Sequence, residues 1–182
     1  MEATSLTGRT LKAVWLFPSG PVHPAWVNEL TTPIVTYDAF LELADDVFLQ
    51  LNACEVVLDE EKYPSLGLEL RESSPAGLRV LQPDGHVIEA QQVQECGALL
   101  PALITSVEQS DPLEEGAISQ YVIVLGQAGR IIFRHIMPPT TLGIDVHLTG
   151  RSPNPSSKRT RENARRLTPA LAASNASTRK RV

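Results

Sequence analysis

The sequence predicts an α+β domain, a mostly antiparallel sheet with two main helices, followed by a disordered basic C-terminal tail. Three observations lead there. Candidate elements run strand, helix, several strands, helix, three strands instead of alternating regularly, which disfavours a doubly wound parallel sheet. Apolar residues after Tyr37 recur at three and four residue steps. The last 32 of the 182 residues carry nine basic side chains against the single acid Glu162. The boundaries read as a flexible N-terminus at 1–10, an acidic domain at 11–150 and the tail at 151–182.

Leu11 to Phe17 is the first strand candidate. Pro18, Gly20, Pro21 and Pro24 follow, and their fixed φ angles and missing donors imply an irregular crossing segment, with Trp15 and Trp26 at least partly buried. From Tyr37 onward Phe40, Leu43, Ala44, Val47, Phe48 and Leu51 line one side, with Asp38, Glu42 and Asp45 opposite, so the periodicity predicts an amphipathic helix. Thr36 or Asp38 would cap it, and Asn52 would end it. Cys54 to Leu58 then reads as a short buried strand, and Leu66, Leu68 and Leu70 alternate in the rhythm of a half-exposed one.

Gln82-Pro83-Asp84-Gly85 between Leu78–Leu81 and His86–Ala90 predicts a tight hairpin turn. Val93, Cys96, Leu100, Leu103, Ile104 and Val107 predict a second helix, kinked or restarted at Pro101. After the Asp111-Pro112 turn and Gly116, Gln120–Leu125 and Arg130–Met137 surround Gly126-Gln127-Ala128-Gly129 as the strongest hairpin signal in the chain. Val122 to Val124 is apolar on both faces, which places that pair centrally in a sheet. Leu142 to Leu148 closes the domain, with Ile144, Val146 and Leu148 on one face and Asp145 and His147 on the other.

The formal net charge of −5 is an average over two opposite parts: +8 in residues 151–182 and −13 in residues 1–150. Such asymmetry points to a basic segment that meets a polyanion. Between Arg151 and Val182 the only large aliphatics are Leu167, Leu171 and Val182, too few to offset the entropy of ordering the chain, about 1 to 2 kcal/mol per residue. Disorder is therefore expected there, with a nascent helix over Ser157–Leu167. Lys158, Arg159, Arg161, Arg165, Arg166, Arg179, Lys180 and Arg181 are the candidate nucleic-acid-binding or nuclear-import residues, because cation clusters displace counterions from a polyanion without needing a folded groove. Phosphate on Ser152 or Thr168, each followed by proline, would weaken such contacts. A solubilising tail, or one folded back on the acidic domain, is the plainer alternative.

Other chemistry is sparse. Cys54 and Cys96 lie 42 residues apart without a CxxC or HxxxH spacing, so buried reduced thiols are expected, and no metal or other cofactor. Asp45, Asp46, Asp59, Glu60 and Glu61 match no calcium loop and read as exposed charge. The Gly126–Gly129 turn lacks the Lys-Ser/Thr of a phosphate loop. Asp145 and His147, with His135 on a neighbouring strand, could orient a general base, but no nucleophile is marked beside them, and a solvated strand face is the simpler account. Asn175-Ala-Ser177 fits a glycosylation acceptor, which only a secreted chain would use. The longest aliphatic or aromatic stretches, such as Tyr121 to Leu125, are far below a membrane span, and the N-terminus lacks the sections of a signal peptide.

These features define three expectations. The first is a non-enzymatic adaptor whose folded domain binds a protein partner or a second copy of itself, and whose tail serves nuclear import or non-specific RNA or DNA tethering; nucleus is then favoured over cytoplasm and no membrane is involved. The second is a viral-type coat or matrix protein with a genome-contacting arm. The third is an enzyme with an unrecognised site around His135, Asp145 and His147.

Overall fold

In the computed structural model, residues 3–17, 34–58, 63–136 and 140–149 are described. The chain divides into two compact units, Met1–Thr149 and Gly150–Val182, and all described residues belong to the first. The tail, with every candidate residue from Lys158 to Arg181, and the crossing segment with Trp26 therefore lie outside the described residues.

The first unit is built from strands. In chain order they are β1 Thr10–Leu16, β2 Ile34–Thr36, β3 Asp38–Leu43, β4 Phe48–Val56, β5 Ser65–Ser73, β6 Arg79–Leu81, β7 Val87–Glu89, β8 Gln91–Gln92, β9 Ala102–Leu103, β10 Ser106–Ser110, β11 Gln120–Val124, β12 Gly129–Ile136 and β13 Thr141–Leu148. Their helical companions among the described residues are 3-10 turns of four or five residues, Ala3–Leu6, Pro75–Leu78 and Gln94–Ala98. The expected α+β class is thus overturned: neither of the two main helices exists, and the unit is antiparallel β.

The first expected helix is a hairpin. β3 pairs with β4 in a register that runs from Asp38 opposite Asn52 to Glu42 opposite Phe48. Ala44-Asp45-Asp46-Val47 forms the turn, with Asp46 at φ 60° and the Leu43 N–H bonded to the Val47 carbonyl at 2.9 Å. Aspartate tolerates that left-handed backbone better than most residues. The second expected helix stops after the turn Gln94–Ala98, short of Pro101, and the chain continues as β9 and β10. Proline's missing donor ends the helix there instead of kinking it.

Two sheets face each other across one core. One has the order β5-β4-β3-β1-β8, with β9 also on β1; the other runs β10-β11-β12-β13-β2. Two strand pairs turn a corner between the sheets: β2 becomes β3 at Tyr37, and β9 becomes β10 across Ile104–Thr105. At the second corner Ile104 N–H bonds to the Arg9 carbonyl and Thr105 N–H to the Val124 carbonyl, both at 2.9 Å, so both donors of the bend are paired. Leu41, Leu49, Leu51, Leu68 and Leu70 of the first sheet join Ile123, Ile131, Phe133, Leu142 and Ile144 of the second in a single buried cluster. Each fully buried side chain of this kind contributes about 1.5 to 3 kcal/mol. Leu6, in the turn that precedes β1, is 1% exposed and belongs to the same cluster.

A third, two-stranded sheet, β6-β7, is turned by Pro83-Asp84-Gly85 as its sequence predicts. Asp84 accepts the His86 N–H at 2.9 Å, and Gly85 has φ 85°. β11 and β12 likewise form the expected hairpin, and β11 is an interior strand of its sheet.

Candidate functional site

Strand register separates the three residues that could have formed a catalytic cluster. Asp145 stands opposite Ile132 and His147 opposite Arg130, whereas His135 stands opposite Leu142. Directly paired residues share a face, so Asp145 and His147 are on the outer face of the sheet and His135 is on the core face. Asp145 is also buried rather than solvated, at 7% exposure, and is held by the Arg134 guanidinium. The sequence places Asp145 and His147 together correctly; it does not reveal that His135 is on the other side.

Both ring nitrogens of His135 are occupied. Nδ1 lies 2.9 Å from the Gly67 carbonyl of β5, and Nε2 accepts the Thr140 N–H at 3.2 Å. The first contact requires a proton on Nδ1 and the second requires none on Nε2, which fixes the neutral tautomer. Burial pushes the His135 pKa down, opposed by the Gly67 carbonyl and by Glu115 and Glu55. A proton on Nε2 would face the Thr140 donor. Because the unfolded imidazole, with its ordinary pKa of about 6.5, takes up a proton before the folded one does, His135 contributes its full stability above that pH and loses it as pH falls below it toward the folded value. Urea denaturation from pH 7.5 to 5 is expected to show stability falling with acid, and His135→Gln is expected to flatten that slope while lowering stability at pH 7.5. An unchanged slope would remove the histidine from this role.

The two cysteines are free thiols on separate elements. Burial, helped by Glu95, pushes Cys96 up to about 12, and burial helped by Glu69 raises Cys54 on β4. Neither is primed as a thiolate nucleophile. Among the described residues no three His, Cys, Asp or Glu side chains are grouped to hold a metal ion, and Asp59, Glu60 and Glu61 lie outside those residues. The acidic loop after β10 is internally satisfied: Asp111 accepts the Gly116 N–H at 2.6 Å and the Ser119 hydroxyl at 3.3 Å. Burial alone would raise the Asp111 pKa, but these bonds outweigh it and hold the carboxyl below its usual range.

Charge on the first unit is arranged so that its cations are largely used internally. Arg9 pairs with Asp45, Lys12 with Glu42, Arg79 with Glu89 and Arg134 with Asp145. Glu42 is 7% exposed and receives Trp15 Nε1–H as well, at 2.9 Å, so both its oxygens are occupied. Arg71 donates twice to the Gln50 oxygen, at 2.9 and 3.1 Å, and Gln50 passes a 2.9 Å bond on to Asp38, a polar ladder across the outer face of β5, β4 and β3. Exposed carboxylates such as Asp46, Glu72, Glu108 and Glu114 form the surplus. Arg130 differs from the other cations: it is exposed, opposite His147, at a recess of about 350 Å³ that Gly126, Gly129, Leu148 and Thr149 also line. Composition does not mark this pair, because only the β12/β13 register makes neighbours of residues 17 apart.

The β6-β7 hairpin provides the other surface feature. Val80 and Ile88 meet Phe17, Tyr37 and Asp38 around a recess of about 190 Å³. Leu81, Val87 and Tyr37 are 71, 47 and 48% exposed, an apolar group next to two short strands that pair, among the described residues, only with each other. No helix among the described residues is long and apolar enough to cross a membrane. No protein-family model, no curated protein and no solved structure matches this chain.

Proposed function

We propose that the chain is a non-enzymatic adaptor, in which an antiparallel β unit binds a protein partner and the basic segment 151–182 supplies a nuclear import signal and a tether to nucleic acid. The observation that carries this reading is the division of charge. Nine cations in the segment face one acid, while most of the cations of the folded unit are held by its own carboxylates or amides, so the segment is the part with positive charge to spare. Polyanion affinity comes from cations that can displace counterions. The neutral, doubly bonded His135, the raised thiols and the paired Asp145 support a non-catalytic role for the folded unit. Its partner contact fits the hairpin: strand edges that no other described strand pairs, beside exposed Leu81 and Val87, would accept an extended segment of another protein by strand addition.

Truncation tests the tether. Deleting residues 151–182 is expected to weaken binding to a 20-base-pair duplex DNA or a single-stranded RNA of the same length by about tenfold or more at 50 mM salt. The full chain should lose affinity with salt at a log–log slope approaching about −0.9 per phosphate contacted on the duplex. Equal affinity of full and truncated chains at low salt would overturn the tether. A bulky fluorescent fusion of residues 151–182 that stays out of the nucleus would overturn the import role.

A further inference from the structure

We infer that Arg130 and His147, with the recess between them and Thr149, form a fixed docking point for a phosphodiester of the tethered nucleic acid. The inference rests on the tether reading and adds to it a contact made by the folded unit. The two side chains come from directly opposed positions on β12 and β13, on the outer face of the sheet, and both are exposed. Arg130 offers a planar fork of donors matched to phosphate oxygens, and imidazole offers an N–H in any protonation state. Asp145, two residues before His147 on the same face, is occupied by Arg134, and Arg130 is in none of the ion pairs that hold Arg9, Lys12, Arg79 and Arg134.

Two further features single out this corner. The recess, about 350 Å³, is lined by Arg130, His147 and Thr149 together with Gly126 and Gly129, and its volume admits a backbone phosphate. Thr149, on its rim, is the last described residue, and Arg151, the first cation of the basic segment, follows it by two positions in the sequence. Phosphate contacts position a protein on nucleic acid, and a fixed bidentate contact on the folded unit would set which of its sides faces the nucleic acid.

The test uses the full-length chain with Arg130→Gln, His147→Gln and the double substitution, binding the same 20-base-pair duplex and single-stranded RNA across 50 to 200 mM salt. Both positions are exposed, and unfolding midpoints equal to the parent confirm an intact fold. The expected result for the double variant is a roughly three- to tenfold loss of affinity and a salt slope shallower by about one, the signature of a lost phosphate contact. Unchanged affinity and slope overturn the docking point, and the tether stands if the truncation still loses binding. If the truncated chain binds as well as the full one while Arg130→Gln weakens both, the docking point survives and the tether fails. A full chain that binds neither probe at 50 mM salt overturns both.

Discussion

Replacing Phe133 by alanine is expected to destabilise the folded unit by about 3 to 5 kcal/mol, read as a fall in the urea midpoint with an unchanged slope. Phe133 is 0% exposed on β12, with Tyr121 and Ile144 opposite it on the flanking strands, and it belongs to the cluster that joins both sheets. The loss combines the transfer free energy of a phenyl ring with the cavity left behind, because neighbours on paired strands cannot collapse into the space without bending their ladders. Phe133→Leu should cost about half as much, since most of the volume is retained. A domain of this size has a total stability of about 5 to 15 kcal/mol, so the alanine variant should be partly unfolded near physiological temperature. A loss below 1 kcal/mol would mean that the two sheets do not share this core.

The β-character of the second half of the unit is legible in the sequence, and the reason is local. Gly126 to Gly129 and Pro83 to Gly85 fix turns through their own backbone preferences, and the strands around them follow without long-range information. The segment from Tyr37 to Asn52 misleads because β3 is buried on both faces. Leu41 and Leu43 face the core, while Phe40, at 2% exposure, is covered on the outer side by the edge-on ring of Phe17 and lies under the turn at Gly77. Two-sided burial erases the alternation that marks a strand. The four-residue turn Ala44–Val47 then shifts the phase of the apolar positions, so that Phe40, Leu43, Val47 and Leu51 fall at helical spacing by coincidence. The adjacent acids Asp45 and Asp46 were the available turn signal, and the β-favouring composition of Val47 to Val57 was the available strand signal.

Around Pro101 the error has another origin. The apolar spacing of Val93, Cys96 and Leu99–Leu100 is real at the level of one turn, where Cys96 and Leu99 are buried, but a proline at the next turn removes the donor on which continuation depends. The site residues divide along the same line. Charge sums need no register, so the contrast between an acidic unit and a basic segment is visible from composition alone. Pairings such as Arg134 with Asp145, or Arg130 beside His147, depend on which residue of β12 meets which of β13, and no property of either strand read singly specifies that.

The register at that end of the hairpin depends on one glycine, and Gly129→Ala is expected to cost about 2 to 6 kcal/mol. Gly129 has φ 150°, a backbone region closed to side chains, and an added Cβ would lie 2.1 Å from the His147 carbonyl oxygen and 2.9 Å from Leu99 Cδ2. The obstructing atom is backbone of the paired strand, so relief requires β12 and β13 to separate where Gly129 faces Leu148. Strain of about 1 to 3 kcal/mol for the dihedral then adds to about 1 to 3 kcal/mol for overpacking. Gly97→Ala is the control: a Cβ there meets nothing within 4 Å, and the variant should differ from the parent by less than about 1 kcal/mol in either direction. If Gly129→Ala folds with parent stability, the close approach of the two strands is not as described, and the side-by-side placement of Arg130 and His147 fails with it. If it folds weakly, binding measured at a temperature where it is still folded should lose the same three- to tenfold as the double glutamine variant, because moving β12 away from β13 separates the two donors while leaving both in the chain.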